Sequence, residues 1–331
     1  MKKLIAIFAA LLLLSSCFKE EEKRAAFTNY KTIEIGNDYL NQVFYGLGDT
    51  SVISTNLYTD WNLAFYCGDD ASFVRLNAAA NMWVFKTNSS NFGAAFDLNY
   101  TESDKRFDGS HGLLDNLAID SYLEEVSSDS TWCSGIVYLI HPGIDANGLE
   151  LGSYKQFVFV GLFEDSYFFK LAELDGSNPR EFSIPKDPSK NYLCFSWNSS
   201  SIVEIEPDKN TWDLLFTRFT DTVYTSDGSE FLTGYAVTGA YLNQNSVEAY
   251  MQDQIAYSDF QSSDVDPSKF SANLNVIGHN WKQFSDQYNI YKNKVYIIKD
   301  RNGSLYKLRF LDFYDANTGF KGYPSFEYEA L

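Results

Sequence analysis

The chain has 331 residues, a length that suits one large domain or two modest ones. Its 26 Lys and Arg residues against 44 Asp and Glu residues give a net charge of -18, which argues against nucleic acid and anionic lipid head groups as direct partners. Aromatic residues are abundant, with 27 Phe, 23 Tyr and 6 Trp, and their flat rings favour β-sheets.

The N-terminus has the order of a secretory signal peptide. Met1-Lys2-Lys3 precedes an apolar run from Leu4 to Leu14, which is shorter than the ~20 residues that a membrane-spanning helix needs. The following Leu14-Ser15-Ser16-Cys17 resembles a lipobox, in which Cys17 becomes the lipidated first residue of the mature protein. We therefore assign residues 1–16 to a lipoprotein signal peptide and exclude them from the fold. The alternative is an ordinary secretory signal with a chance cysteine.

Residues 17–29 are predicted to be a flexible tether. The run Phe18-Lys19-Glu20-Glu21-Glu22-Lys23-Arg24 is charged and unable to pack into a core. Acidic residues directly behind a lipidated cysteine resemble the surface-export signal of certain Gram-negative bacteria. This predicts a protein on the outer membrane, held there by the lipid alone and exposed at the cell surface. A plain linker on a periplasmic lipoprotein is the alternative.

Short aromatic and β-branched runs dominate the rest of the chain, separated by Gly, Asn, Asp and Ser, as is typical of antiparallel all-β proteins. The predicted strands are Trp61–Cys67, Ile136–His141, Gln156–Phe163, Tyr167–Leu171, Tyr192–Trp197, Trp212–Phe219, Lys294–Lys299 and Leu305–Phe313. Asn302-Gly303 predicts a hairpin between the last two, because both residues tolerate positive φ. In the last strand Leu308 and Phe310 alternate with Lys307 and Arg309, which predicts one buried and one solvent-facing side.

Helix is expected to be scarce. The best candidate is Leu113–Val126, with Ser110 placed as a cap, and a second segment from Val247 to Gln254 is ambiguous. The predicted fold class is all-β, with two related antiparallel β-sheet modules and little helix.

The two modules are predicted from an internal repeat. Trp61-Asn62-Leu63-Ala64-Phe65 has a counterpart 151 positions later in Trp212-Asp213-Leu214-Leu215-Phe216, and Tyr167–Leu171 has one 137 positions later in Ser304–Leu308. This favours modules at 30–200 and 201–331, with chance similarity between aromatic strands as the alternative. By the period of two, Trp212, Leu214 and Phe216 share one face and are predicted to be core, as are Trp61, Leu63 and Phe65. Stacking of a ligand on the tryptophans is the other interpretation.

Three cysteines follow Cys17, namely Cys67, Cys133 and Cys194. An odd number leaves at least one thiol free, so the chain is not a disulfide scaffold, although a disulfide among these three stays open. No Cys-x-x-Cys pair occurs, which argues against a structural zinc or redox site.

Several motifs of the second half resemble the HmuY-like lipoprotein family in order and spacing. They are Trp212–Phe216, Tyr235–Ala240 with Leu242-Asn243, Ile277–Lys282, Tyr296–Asp300, Tyr306–Phe310 and Gly322–Tyr328. The resemblance covers residues 190–331 well and, through the Trp61 copy, residues 30–190 less closely. It implies an all-β lipoprotein that captures haem, also from haemoproteins, and passes it to a TonB-dependent receptor in iron acquisition.

The resemblance also implies haem ligands. In the founding member two histidines hold the iron, and neutral imidazole binds haem iron well. Many members carry a histidine directly after the Trp-Asp-x-x-Phe motif, whereas this chain has Thr217, a poor haem ligand. The candidate ligands are His279, within the matching Ile277–Lys282 segment, and Met251, a thioether 34 residues beyond Thr217. Their alternatives are a polar loop histidine and a packing methionine.

The other two histidines are assigned no role in binding. His141 precedes Pro142 and is expected to end a strand, and His111 lies between Ser110 and Gly112 in an expected loop.

No Gly-x-Ser-x-Gly, His-Glu-x-x-His or phosphate-binding glycine loop occurs, so no enzyme is predicted. The rival to haem capture is a surface lipoprotein of the same fold that has lost haem binding and binds a glycan, a peptide or a partner protein. A third and more distant hypothesis is a glycan-active enzyme, which would need two carboxylates facing each other across an aromatic cleft.

Overall fold

The computed structural model describes residues 28–120, 123–127, 130–133, 135–224 and 231–331, and the side chains of 121–134 and 223–233 are not described. The predicted signal peptide, the lipidation site Cys17 and the charged run behind it lie outside the described residues. None of the helical turns in the described part has the length and hydropathy of a membrane-spanning helix.

The described chain contains strands and short turns of 3-10 helix. The strands of the first half are β1 Asn29–Thr32, β2 Asn41–Gly46, β3 Ser51–Leu57, β4 Leu63–Tyr66, β5 Val74–Leu76, β6 Trp83–Lys86, β7 Leu123–Ser127, β8 Ser130–Cys133, β9 Tyr138–His141, β10 Lys155–Phe163, β11 Ser166–Glu173 and β12 Arg180–Pro185. Those of the second half are β13 Tyr192–Ser196, β14 Ser201–Val203, β15 Leu214–Tyr224, β16 Phe231–Leu242, β17 Glu248–Gln252, β18 Lys282–Phe284, β19 Tyr288–Ile290, β20 Val295–Lys299, β21 Leu305–Tyr314 and β22 Lys321–Ala330. The 3-10 turns are Tyr58–Asp60, Ala78–Ala80, Glu102–Asp104, Leu114–Asn116, Ser262–Asp264 and Pro267–Lys269.

Antiparallel pairing joins these strands into four main sheets. A seven-stranded sheet has the order β12-β11-β10-β8-β7, with β9 joining β10 to β6, and a five-stranded sheet has the order β1-β22-β21-β20-β17. Two four-stranded sheets have the orders β14-β13-β4-β5 and β16-β15-β2-β3. The hairpin β18–β19 stands apart. The all-β prediction is therefore confirmed.

The two four-stranded sheets lie back to back between the larger sheets. In β4, Leu63 and Phe65 point into the core shared with the seven-stranded sheet, and Ala64 points the other way. In β15, Leu214 and Phe216 point into the core shared with the five-stranded sheet. Both inner sheets thus have core residues on both faces, and a smaller cluster that includes Phe44, Cys194 and Trp212 lies between them.

The first hairpin, β2–β3, pairs with β15 of the second half, and the hairpin β13–β14 pairs with β4 of the first. In one contact Phe44 stands opposite Leu215, and in the other Cys194 stands opposite Ala64. Each hairpin thus lies beside the strand that follows the repeated tryptophan of the other copy. The division of the chain into modules at residues 30–200 and 201–331 stays a prediction.

All eight predicted strands are present within a few residues, and the Asn302-Gly303 hairpin joins β20 to β21. The helix predicted at Leu113–Val126 is wrong, because only the 3-10 turn Leu114–Asn116 forms and β7 follows. Leu113 and Leu114 are exposed, so no apolar stripe of a helix is buried there. The ambiguous segment Val247–Gln254 contains the strand β17.

One expectation for β21 is also wrong. Lys307 does not face solvent but is buried, and its Nζ donates to the carbonyls of Tyr257 and Phe260 at 2.9 and 3.0 Å. A cluster around Tyr250, Tyr257 and Phe260 covers this outer face of the sheet. The alternation in sequence showed the two faces but not the segment that covers one of them.

Candidate functional site

A cavity of about 140 Å³ lies between the two inner sheets. Its wall is mainly apolar and aromatic, and the aromatic lining residues are Phe44, Trp61, Tyr192, Trp212, Phe219 and Tyr241. A polar minority completes the wall, namely Gln42, Arg75, Asp108, Ser110, Asn191, Glu206, Thr217, Arg218 and Gln244. An apolar pocket with a few convergent polar groups is the usual form of a small-molecule site.

The repeat brings both of its tryptophans to this cavity. Trp61 and Trp212 stand just before β4 and β15, outside the strand alternation, and both pack in the cluster between the inner sheets. The prediction that each tryptophan shares a core with the Leu and Phe of its motif is therefore wrong, although Leu63, Phe65, Leu214 and Phe216 are core as predicted. Trp212 meets the ring of Phe44 edge-on, with centroids 4.9 Å apart.

Thr217, at the usual histidine position of the motif, lies on the cavity wall. Its hydroxyl accepts a hydrogen bond from Gln42 Nε2 at 3.1 Å and donates one to the carbonyl of Arg218 at 2.9 Å. The other end of the Gln42 amide accepts from Trp61 Nε1 at 2.7 Å. A chain of hydrogen bonds therefore occupies the place where a ligating histidine would stand.

Two buried arginines line the cavity. The Nη atoms of Arg75 donate to the carbonyls of Gly109 and Gly112 at 3.4 and 2.6 Å. Arg218 Nη1 donates to the Ile144 carbonyl at 3.0 Å. Sequence reasoning missed both residues. The available signals were a charge inside the apolar run Phe73–Leu76 and a charge directly after Thr217.

Two tyrosines stand beside Arg75. The pKa of Tyr192 is raised to about 12, because the effect of burial exceeds the opposing effect of the nearby Arg75 guanidinium. Burial also raises the pKa of Tyr241 well above its ordinary value. The Tyr192 hydroxyl donates to Gln244 Oε1 at 2.6 Å, and the Tyr241 ring packs 4.3 Å from that of Phe219. Both phenols therefore stay protonated at neutral pH.

Two buried acids complete the polar lining, and both are bound to backbone amides. Asp108 accepts from the N–H groups of Leu76 and Ala118 at 2.6 and 2.8 Å. Glu206 accepts from the Tyr192 N–H at 2.8 Å and from the Asn191 side-chain amide at 2.6 Å. Burial raises the pKa of Glu206 to about 7.

A second cavity, of about 460 Å³, lies next to the first and shares residues 108–110 with it. His111 and Asp221 are on its wall. His279 is not on the wall of either cavity, but its Nε2 lies 3.6 Å from Asp221, which also accepts from Ser110 at 2.7 Å. Burial lowers the pKa of His279, and the Asp221 carboxylate opposes that shift.

Met251, the other predicted haem ligand, is on the edge strand β17 with 40% of its surface exposed. It lines neither cavity, so the structure does not bring it together with Thr217. The role of His279 and Met251 as iron ligands stays a prediction.

His141 is a core residue. It stacks on Trp83 with centroids 3.8 Å apart, and burial lowers its pKa to about 4.

Cys67 and Cys194 are free, buried thiols, and the side chain of Cys133 is not described. Within the described residues, no three His, Cys, Asp or Glu side chains are grouped to hold a metal ion.

The chain is similar to known proteins in sequence and in structure. A family model described as HmuY protein matches residues 153–328, more than half of the chain. Solved structures that match include an HmuY-like heme-binding protein from Bacteroides vulgatus, at 12% identity over 91% of this chain and 90% of that one, with a TM-score of 0.25. An apo HmuY analog from Tannerella forsythia matches at 10% identity over 94% and 98%, with a TM-score of 0.26. A lipoprotein from Bacteroides fragilis matches at 15% identity over 54% and 91%, with a TM-score of 0.18.

A search of curated proteins gave no match.

Proposed function

Because the chain belongs to the HmuY family, we propose that it is a non-enzymatic binding protein that captures haem outside the cell. It is held on the outer membrane by a lipid on Cys17, faces the cell surface, and delivers its ligand to a TonB-dependent receptor. The observation that carries the proposal is the family match over residues 153–328, which includes the strand bearing Thr217 on the cavity wall.

A haem held between two histidines does not fit the described residues of the cavity. Thr217 replaces the usual histidine, and no histidine is on the wall. The cavity volume of about 140 Å³ is also below the roughly 300–1,000 Å³ of sites for drug-sized ligands. The remaining side chains of the wall that are known haem ligands in other proteins are Tyr192, Tyr241 and Cys194.

This mismatch favours a second candidate function. The Gln42–Thr217 hydrogen bond fills the histidine position with a satisfied polar pair, so the site is complete without an iron ligand there. The same fold would then bind a different ligand, a glycan or a partner protein, at the cell surface.

An absorbance titration of the purified chain with oxidised and with reduced haem separates the two candidates. Haem capture predicts a saturable, sharpened Soret band that is altered in His279→Ala or Met251→Ala. Leu149→Ala, at an exposed position outside both cavities, serves as the control. A spectrum that stays that of free haem in both oxidation states would exclude haem capture and leave the second candidate.

The location is tested separately. Protease treatment of intact cells should cleave the wild-type chain at the surface, and fatty-acid labelling should be lost in Cys17→Ala. Labelling that persists in this variant would refute lipidation at Cys17, and full protection from protease would refute surface exposure.

A further inference from the structure

We propose that the cavity between the two inner sheets binds a small aromatic carboxylate, with its ring among the aromatic side chains and its carboxylate at Arg75. This site takes a ligand of one ring and does not depend on haem binding.

Arg75 is the first observation. It is only 9% exposed, and its Nη atoms donate to backbone carbonyls, but its buried Nε has no hydrogen-bond partner. Arg106, Arg301 and Arg309 make the arginine ion pairs of the described residues, whereas Asp108 acts on Arg75 from beyond ion-pair distance. Against the opposing effect of burial, Tyr192 and Asp108 raise the pKa of Arg75. The buried Nε donor has no acceptor in the folded chain, and an anionic ligand oxygen would supply one.

Trp212 is the second observation, and Trp61 is its internal comparison. Trp61 Nε1 donates to Gln42 Oε1 at 2.7 Å, whereas Trp212 Nε1 is buried and has no partner. Trp212 is 4% exposed and also lines the cavity. A buried indole N–H usually finds a partner, and a ligand oxygen that reached this donor would satisfy it.

The two carboxylates of the wall and the Gln42 amide oxygen already accept hydrogen bonds. Asp108 accepts from two backbone amides, and Glu206 accepts from Tyr192 N–H and from Asn191. Gln42 Oε1 is bound to Trp61. Because the unpaired groups are donors, the complementary ligand is one that supplies acceptor oxygens.

Size and shape define the rest of the ligand. A dry cavity of ~150 Å³ lined by apolar side chains binds a benzene ring. The present cavity is about 140 Å³ and is walled by aromatic rings that include Phe44, Phe219 and Tyr241. It therefore accommodates one ring with a carboxylate.

Charge within the cavity agrees with an anion. Arg218 is a second buried guanidinium on the wall, only 4% exposed, and its donors go to neutral oxygens. Burial raises the pKa of Glu206 to about 7, which reduces the negative charge that opposes the ligand near neutral pH. Burial also raises the pKa of Asp108, and the Arg75 guanidinium opposes that shift.

Calorimetric titration of the purified chain with benzoate tests the proposal. We expect saturable 1:1 binding, with benzyl alcohol and acetate each at least about tenfold weaker, since one lacks the charge and the other the ring. Absence of benzoate binding to the folded chain, or equal binding of benzyl alcohol, would overturn the proposal without any variant.

Variants locate the site. Arg75→Gln should weaken benzoate binding by about tenfold or more, and Ala64→Leu should abolish it by filling the cavity while keeping Arg75. Arg180→Gln, at an exposed position outside the cavity, is the matched control and should bind as the wild type does. Unchanged affinity in folded Ala64→Leu, judged by near-UV circular dichroism, would refute this cavity as the site.

Discussion

Asn62 and Asp213 occupy equivalent positions of the repeat, 151 residues apart. Each side chain accepts a hydrogen bond from a backbone N–H of the hairpin that pairs with the strand directly after it. Asn62 Oδ1 accepts from Trp197 N–H at 3.0 Å, and Asp213 Oδ2 accepts from Leu47 N–H at 2.7 Å. Leu47 follows β2 and Trp197 follows β13, so each bond ties one copy of the repeat to the hairpin that precedes the other.

Asp213→Ala should be among the most destabilising single substitutions. The carboxylate is fully buried and also accepts from Arg301 Nη1 at 2.7 Å, so its loss leaves the Leu47 amide and one nitrogen of a mostly buried guanidinium without acceptors. We expect a loss of about 3–5 kcal/mol in the free energy of unfolding, measured by urea denaturation.

Asp49→Ala is the control for that prediction, because Asp49 binds the same arginine at 2.9 Å but is 56% exposed. Its expected cost is below about 1 kcal/mol. Equal costs for the two variants would contradict the role assigned to Asp213.

Gly239 explains part of the family motif in physical terms. A Cβ on Gly239 would lie 2.0 Å from the carbonyl oxygen of Gly278, where Ala240 forms a bridge to the second motif segment. Gly239→Ala should therefore destabilise the protein by about 3 kcal/mol or more, because a backbone atom has to move.

Gly48→Ala provides the matched glycine control for thermal unfolding. The Cβ added there would make only ordinary contacts, the nearest at 3.6 Å from the Tyr306 hydroxyl. We expect a change within about 1 kcal/mol. If the Gly239→Ala and Gly48→Ala variants have the same melting temperature, the close approach of the two segments is not needed for stability.

The strands could be predicted from the sequence because short runs of aromatic and β-branched residues favour β-strands, where these side chains pack well on a pleated surface. The repeat was visible in Trp61–Phe65 and Trp212–Phe216, but similarity between segments says nothing about which strands pair, so the exchange of hairpins was not predictable.

Arg75 was missed for a related reason. In the three-residue strand Val74–Leu76 the alternation places it opposite its apolar neighbours, and only the second inner sheet makes that face an interior.

Thr217→His tests whether the missing histidine at this position limits haem affinity. The side chain lines a cavity with room for an imidazole, and the substitution replaces the hydroxyl that Gln42 now binds. We expect haem affinity at least about tenfold higher than that of the wild type, with a sharper Soret band.

Thr55→His, on the exposed side of β3, adds a histidine outside the cavity and should leave the haem spectrum unchanged. If both variants behave like the wild type, a single missing ligand does not account for the difference from a bis-histidine site.

Lys282 should make stability depend on pH above neutrality. Its ammonium is buried among the rings of Trp281 and Phe313, at 4.3 and 4.7 Å from their centroids, and donates to the carbonyl of Thr238. Burial lowers its pKa to about 7 from the ordinary value near 10.5. Between these values the unfolded chain binds more protons than the folded one, so the free energy of unfolding rises with pH.

Lys282→Met should remove that rise. Urea denaturation of the wild type should show a gain, relative to the variant, of about 3 kcal/mol between pH 7 and pH 9.5. Lys299→Met, at a lysine whose side chain is 43% exposed beside Glu248, should retain the gain. The comparison uses the difference between variants because tyrosines and cysteines begin to titrate in the upper part of this range. Parallel pH profiles for wild type and Lys282→Met would mean that Lys282 keeps its proton in the folded chain, with the carbonyl and the rings compensating for its burial.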